Sequence, residues 1–575
     1  MHEMQAFEKL LLERNVLDAP RLERAKAESE RRGLSLAETL IQLGFSSEED
    51  IYLVLADAVG LRFVRPSKMR IPAELVQKVP ARFATHYHFV PIAEQNGTLV
   101  IAIADPFKSH LLDDLRLVLK RRIEPVLTTP GEIQKVTKEL YGVGADTVER
   151  ILSTESTQPL GLSLEQGQVS ADLGDTHIDP SIIKFVNELI LEAIQSDTTD
   201  IHIEPFEDQL RVRYRIDGIL HQVPVPPNIR TFHSAIVSRI KIMANLNIAE
   251  KRLPQDGKIL ATLGDKQYDL RVSILPTPHG ETVNIRILNR ASMFLSLDQL
   301  GFLPEDLALF NTFISKPHGI ILVTGPTGSG KTTTLYAALA KLNRLDRKII
   351  TIEDPIEYQM PGITQMQVQP RIGFDFATGL RSMLRHDPDI MLVGEIRDYE
   401  TAEMAIRASL TGHLVLSTLH TNDAAGAITR LTDMGVEPFL ISSTMIASLA
   451  QRLVRRICSQ CTEPFAPDPT VLREEFGVSP DNLHDAHFRR GSGCELCRYT
   501  GYKGRLAIYE ILPFTDEIKD LTVQRRSSVE IKRKALDQGM RTLRHSGWRR
   551  ICEGITTVEE VLRVTADAEV MKGTV

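Results

Sequence analysis

The spacing of apolar residues changes from one region of this chain to the next, and each spacing predicts a different kind of element. Over residues 7–25 and again over 36–54, apolar positions recur with the helical period. The two stretches resemble each other. In both, an apolar helix pattern ends in a short turn and a second helix begins, with Ser46 or Ser47 placed to cap the second copy and Glu49 close by. Residues 97–106 (GTLVIAIADP) read as a strand running into a turn. From 152 to 178 aromatics are scarce and Ser, Gln, Gly and Asp abound, the composition of a linker. A helix over 182–194 follows, and then the period drops to two. Residues 200–204, 210–216, 268–274 and 282–288 alternate, and Asp217-Gly218 is placed to turn a hairpin. Helices with alternating strands predict an α+β domain.

Beyond residue 300 the pattern changes again. Short, mostly apolar runs at 319–324, 348–352, 389–393 and 412–421 alternate with helical segments, as a parallel sheet requires. Near 455 the pattern breaks into a cysteine-bearing segment, and helices resume near Thr515. The expected organisation is an N-terminal domain over 1–150, a linker over 151–178 and a second, α+β domain over 179–295. An α/β core over 296–454, a cysteine-bearing insert over 455–512 and a helical region over 513–575 complete it.

A chain of 575 residues is too long for one core, which agrees with several domains. Its 25% charged and 42% hydrophobic residues are ordinary for a soluble protein. A net charge of −7, one Trp and 6% aromatics argue against a nucleic-acid motor, which would want a basic face and stacking side chains. No stretch approaches the ~18 apolar residues of a membrane span. The first residues are acidic and lack the basic-then-apolar layout of a secretory signal. A cytoplasmic location is expected, with any membrane contact peripheral.

The segment Gly325-Pro326-Thr327-Gly328-Ser329-Gly330-Lys331-Thr332 fits the phosphate-loop pattern G-x-x-x-x-G-K-[ST] at every fixed position. An apolar strand pattern precedes it, and a helix pattern beginning at Thr333 follows. The glycines let backbone N–H groups curl towards phosphate oxygens, and the helix N-terminus adds its positive dipole end. Lys331 would reach the β- and γ-phosphates of ATP, and the Thr332 hydroxyl would sit on Mg²⁺. Two further strand patterns end in acids, at Glu353-Asp354 and at Glu395. Each acid alone fits a helix cap or a surface charge equally well. Together, each after an apolar strand, they suit the two jobs of holding hydrated Mg²⁺ and orienting the attacking water. His413 and His420 bracket a third strand. A lone histidine is more often structural, but at a sheet edge beside a γ-phosphate it can sense that phosphate.

Cys458-x-x-Cys461 and Cys494-x-x-Cys497 have the spacing of two zinc knuckles, with Gly491, Gly493 and Gly501 suited to the turns. The alternative is reduced, unliganded thiols. Four thiolates would leave no open position for water, so a zinc ion here would be structural. Cys552 stands apart and reads as a packed helix residue.

At these residues the chain resembles the secretion ATPases of type II secretion systems and type IV pili. The likeness rests on GPTGSGKT (325–332), TIEDPIEY (351–358), DPDIMLVGEIRD (387–398) and TGHLVLSTLHTNDA (411–424). SDTTDIHIEPF (196–206), RYRIDG (213–218), AEKRLPQDG (249–257) and the tetracysteine segment extend it. The resemblance implies a RecA-like phosphate-loop ATPase core, a PAS-like second N-terminal domain, a mostly helical first domain and a zinc insert. It implies a homo-hexamer on the cytoplasmic face of the inner membrane that uses ATP and Mg²⁺ to drive pilin or pseudopilin assembly. Its expected partners are an inner-membrane platform protein and the cytoplasmic domain of a membrane anchor. It makes Glu395 the catalytic acid, Glu353 an acid near water and Mg²⁺, and His420 the sensor. It also brings Arg271 and Arg286 from the second domain, and Arg381 and Arg385 from the core, towards phosphates. Residues 412–440 and 450–456 are closer to the type II secretion branch than to the pilus-extension branch. Some relatives bind cyclic di-GMP through a repeated Arg-Leu-Gly segment. Here Ala6-Phe7-Glu8 and Ser35-Leu36-Ala37 stand at those places, so this binding is not expected.

Overall fold

The computed structural model describes residues 2–142, 180–289, 295–478 and 486–566, apart from positions 15, 33, 34 and 96 and several between 108 and 120; Ser163, Leu164 and Leu483 are described besides. The chain divides into two compact units, Met1–Leu288 and Asn289–Val575.

The first unit opens with four helices, His2–Glu13, Ala19–Arg32, Leu36–Gln42 and Glu48–Val59, which close over Phe7, Leu11, Leu40, Ile51 and Leu55. Their starts follow from capping chemistry. Ser35 and Glu38 form a reciprocal capping box, and Ser47 caps the fourth helix through the Asp50 amide rather than through Glu49. Strands Phe89–Gln95, Thr98–Ile103 and Arg122–Leu127 form a small mixed sheet backed by the helix Pro130–Tyr141.

Further along this unit, helices Pro180–Gln195 and His233–Met243 share a core with a larger sheet. Its strands run in the order Ser163–Leu164, Gln255–Leu263, Lys266–Thr277, Gly280–Asn289, Thr198–Pro205, Leu210–Ile216 and Ile219–Val223. The linker expected over 151–178 otherwise lies outside the described residues. Asp217 and Gly218 join two of these strands with φ of 48° and 88°, the paired left-handed conformation that a two-residue hairpin turn demands.

The second unit is built on a seven-stranded sheet. Its order is Thr364–Gln367, Ile349–Glu353, Ile390–Val393, Leu414–Leu419, Gly319–Thr324, Met445–Ile457 and Tyr502–Pro513. All neighbours are parallel except the last pair. Every residue of Gly319–Thr324 and Leu414–Leu419 is buried, because helices cover both faces. Alternation then divides the core: Ile320 and Leu322 pack on one face, Ile321 and Val323 on the other. Residues 445–457 and 502–513, divided by the sequence reading between core and insert, form one hairpin of this sheet. The cysteine knuckles sit at its far end.

Candidate active site

The phosphate loop is shaped by where it runs. Strand Gly319–Thr324 delivers it to the sheet's carboxyl edge, and helix Lys331–Leu342 leaves it at Gly330, whose φ is 90°. A Cβ at Gly330 would lie 2.7 Å from Gln451 Nε2, so only glycine fits both the conformation and the space. Pro326, Thr327, Gly328 and Thr332 are exposed, whereas Ser329 and Lys331 are buried. The Lys331 ammonium donates to the carbonyls of Gly325 at 2.8 Å and Pro326 at 3.1 Å. Burial pushes its pKa down to about 8, against the pull of the Glu395 carboxylate and with the help of nearby Arg452. Ser329 Oγ is buried without a hydrogen-bond partner. A buried cation held only by carbonyls, and a hydroxyl held by nothing, are groups that an anion would satisfy.

Glu395 lies just past strand Ile390–Val393. Strand Leu414–Leu419 separates that strand from the one leading to the loop. Two strand spacings of about 4.8 Å put roughly 10 Å between them, room for a phosphate and a water. The backbone there is fixed by Ser417 Oγ donating to Val393 O and Thr418 Oγ1 donating to Gly394 O, each at 2.8 Å. His420 Nε2 stands 3.2 Å from Glu395 Oε2, so the structure brings these two expected residues together. Arg397 pairs with Glu395 as well, and reaches Asp354 Oδ2 at 4.0 Å. A half-buried carboxylate between an imidazole and a guanidinium can orient water and accept its proton.

Glu353 has a different setting. It ends its strand buried, and its oxygens accept from Tyr336 Oη, from Thr351 Oγ1 at 2.6 Å and from Gln365 Nε2 at 3.1 Å. Burial, reinforced by this carboxylate, raises the pKa of the Tyr336 phenol. The charges that act on Lys331 are those of Glu395 and Arg452. The acid next to Glu353, Asp354, is the one linked through Arg397 to Glu395.

The remaining expected residues have local partners. Arg381 pairs with Glu400, and Arg385 donates to Arg381 O at 3.0 Å and Ser382 Oγ at 3.3 Å. His413 Nδ1 lies 2.8 Å from Ala408 O, a helix-end contact. In the first unit Arg286 Nε meets Asp200 Oδ1 at 3.2 Å. Arg271 alternates with buried Leu270 and Val272, as the strand period predicts.

The cysteines converge. The Sγ atoms of Cys458, Cys461, Cys494 and Cys497 all lie within 4.8 Å of one another, and the pairs 458–494, 461–497 and 494–497 are each 3.7 Å apart. Four sulfurs held tetrahedrally at about 2.3 Å from one ion would be about 3.8 Å apart, so the set fits zinc. Amides of Gly493, Cys494 and Gly501 donate to the sulfurs at 3.1–3.3 Å, as thiolates require. Gly491 and Gly501 cross so closely that a Cβ on Gly491 would lie 2.1 Å from Gly501 O.

Sequence reasoning missed Gln451 and Arg452. Gln451 Oε1 accepts from Thr334 Oγ1 at 2.8 Å and its amide backs the loop at Gly330. Arg452, 8% exposed, donates to Gln451 O at 3.1 Å and Asn422 O at 2.9 Å. The available signal was an amide and a guanidinium side by side in the run 445–454, whose other residues are apolar except Ser448.

A family model described as Type II/IV secretion system protein matches residues 175–563, and an MshEN domain model matches 59–147. The chain is 44% identical to the type II secretion system protein E of Xanthomonas campestris, over 97% of this chain and 98% of that protein. It is 40% identical to the type IV pilus assembly ATPase PilB of Myxococcus xanthus, over the same shares of the two chains. With the type II secretion system protein E of Pectobacterium carotovorum the identity is 49%, over 86% of this chain and 98% of the relative.

Proposed function

Because the chain belongs to the type II/IV secretion system protein family and is an ATP hydrolase, we propose that it is a cytoplasmic, ring-forming motor that powers pseudopilus assembly for type II secretion. The observation that carries the reaction is Lys331, buried without an ion pair among the described residues, in a phosphate loop of the sheet edge where Glu395 meets His420. In this reading the loop amides and Lys331 bind the β- and γ-phosphates, and Arg381 and Arg385 serve the same nucleotide. Thr332, exposed on the first helical turn, holds Mg²⁺. Glu395 accepts the proton of the attacking water, and His420 orients Glu395 and registers the γ-phosphate. Glu353 serves as the second acid towards water and Mg²⁺, held by Tyr336 on the loop's own helix. Arg271 and Arg286 complete the site within a hexamer peripheral to the inner membrane, which works with a platform protein and the cytoplasmic domain of a membrane anchor. Two of the three relatives described above, at 44% and 49% identity, are named for type II secretion, against 40% for the pilus ATPase.

The four cysteines hold a structural zinc ion. Cyclic di-GMP binding is not expected of the N-terminal region in this reading, because Ala6-Phe7-Glu8 and Ser35-Leu36-Ala37 lack the arginine and glycine of the repeated segment. The positions 6–8 and 35–37 precede the MshEN match, which begins at 59. The cavity of about 420 Å³ beside them is lined by Phe7, Tyr52, His88 and the carboxylic residues Glu38 and Asp105, with no arginine among the described lining residues.

Steady-state hydrolysis and fluorescent-nucleotide binding test the reaction. Glu395→Gln is expected to bind ATP and to turn it over about a hundredfold more slowly or worse. Wild-type turnover in that variant removes Glu395 from the chemistry. Secretion rescued in a type II deletion strain, against piliation rescued in a pilus-extension deletion strain, decides the branch. Metal analysis checks the zinc: one ion per chain is expected, and none in Cys458→Ser.

A further inference from the structure

Outside the residues assigned above, the second unit buries a second set of charges. Lys532, on helix Ser528–Asp537, is 4% exposed, and Glu510, on the antiparallel edge strand, is fully buried. The Lys532 ammonium donates to Asp423 Oδ2 at 2.9 Å and lies 3.5 Å from Glu510 Oε2. Asp423 belongs to the loop that begins at His420. Its Oδ1 accepts from the Gly426 amide at 2.8 Å, and its carbonyl accepts from Thr421 Oγ1 at 3.0 Å and Thr324 Oγ1 at 3.5 Å. Glu510 Oε1 accepts from the Ala424 amide at 3.0 Å. The next carbonyl back, Asn422 O, is held by Arg452.

Asn422, Asp423 and Ala424 are therefore each fastened from outside the loop, and Thr421 is tied to Asp423 within it. One set of fasteners comes from the phosphate-loop strand and its neighbour, the other from Glu510 on the edge strand and Lys532 on a C-terminal helix. His420 is the exposed end of this short segment, and it alone reaches forward to Glu395. A buried lysine and glutamate, joined by a part-exposed aspartate, are also an expensive way to fill a core, since buried ions lose hydration that packing alone would not forfeit. Their use here suits a group that must fix the direction of a loop. We propose that Lys532 is a positioning residue for ATP hydrolysis, holding the 420–424 loop through Asp423 and Glu510 so that His420 meets Glu395. The inference rests on the assignment of His420 and Glu395 to the reaction. It adds that the C-terminal helices set the catalytic geometry.

The test uses the full-length protein. Lys532→Gln/Glu510→Gln keeps the net charge of the set. Asp423→Asn keeps the bond to the Gly426 amide while turning an NH₂ towards the ammonium. Both are expected to lower kcat at least about tenfold, as misplacement by a fraction of an ångström to an ångström does, with fluorescent-ADP affinity within about threefold of wild type. In a His420→Ala background neither set should lower kcat further, because the loop then has nothing to aim. Where the double variant does not fold, Asp423→Asn decides alone. Unchanged kcat overturns the proposal. So does a joint fall of kcat and nucleotide affinity, or an equal fall in the His420→Ala background. Wild-type turnover in both Glu395→Gln and His420→Ala would instead overturn the assignment on which the inference stands.

Discussion

Lys331 and Lys532 are both buried in the unit that carries the phosphate loop, yet their surroundings differ in kind. Lys331 donates only to carbonyls of its own loop, and burial brings its pKa down to about 8. Lys532 also loses hydration, but Glu510 and Asp423 outweigh that loss and raise its pKa. A buried cation without an anion is a place for one to bind. A buried cation already saturated by carboxylates is a structural tie. The same side chain thus becomes a ligand-binding group or a fastener according to what packing puts beside it.

Removing the first charge should have the larger functional effect. Lys331→Ala is expected to cut ATP turnover at least about a thousandfold, because the β- and γ-phosphates lose their cation. Turnover within tenfold of wild type, measured by phosphate release, would break the comparison at its first term.

Stability should reverse the order of the two lysines. Lys532→Met strands the Glu510 carboxyl in the core, where burial already raises its pKa, and unpairs the part-exposed Asp423; it is expected to destabilise the free protein by about 3 kcal/mol. Lys331→Met removes a cation without a counterion and should leave the nucleotide-free protein as stable as wild type, or slightly more so. Denaturant melts of the two variants without nucleotide check this, and equal losses would mean that Lys331 is tied as firmly as Lys532.

The smallest effect is a pH dependence. The free Lys331 pKa of about 8 lies below its ordinary 10.5, so unfolding takes up a proton between those values, and this group's contribution to stability grows as pH rises through that window. Bound phosphate favours the charged form and raises the pKa again. Nucleotide binding should therefore take up a proton above about pH 8, with affinity falling by up to about tenfold per pH unit there and staying flat below. Calorimetry in buffers of different ionisation enthalpy measures the uptake. Binding at pH 8.5 with no proton exchange would show that Lys331 is fully charged before ATP arrives.

Much of this protein was legible in its sequence. The phosphate loop, the strand ends at Glu353 and Glu395, the Asp217-Gly218 turn and the cysteine knuckles depend on backbone geometry across a few neighbouring residues, and the residues demanded by that geometry stand next to one another in the chain. The alternation that puts Arg271 opposite Leu270 and Val272 is equally local. What the chain order did not reveal is which distant groups meet. Glu353 gathered Tyr336, Thr351 and Gln365 around its oxygens. Gln451 and Arg452 came to back the phosphate loop, and Lys532 found Asp423 across 109 positions of sequence. Those meetings are set by sheet order and helix packing, which join residues that local periodicity cannot relate. Sequence alone determined where phosphate and metal chemistry could be done; the tertiary structure decided which buried charges were left free to do it, because a charge's role in a dry interior depends on the partners that packing supplies.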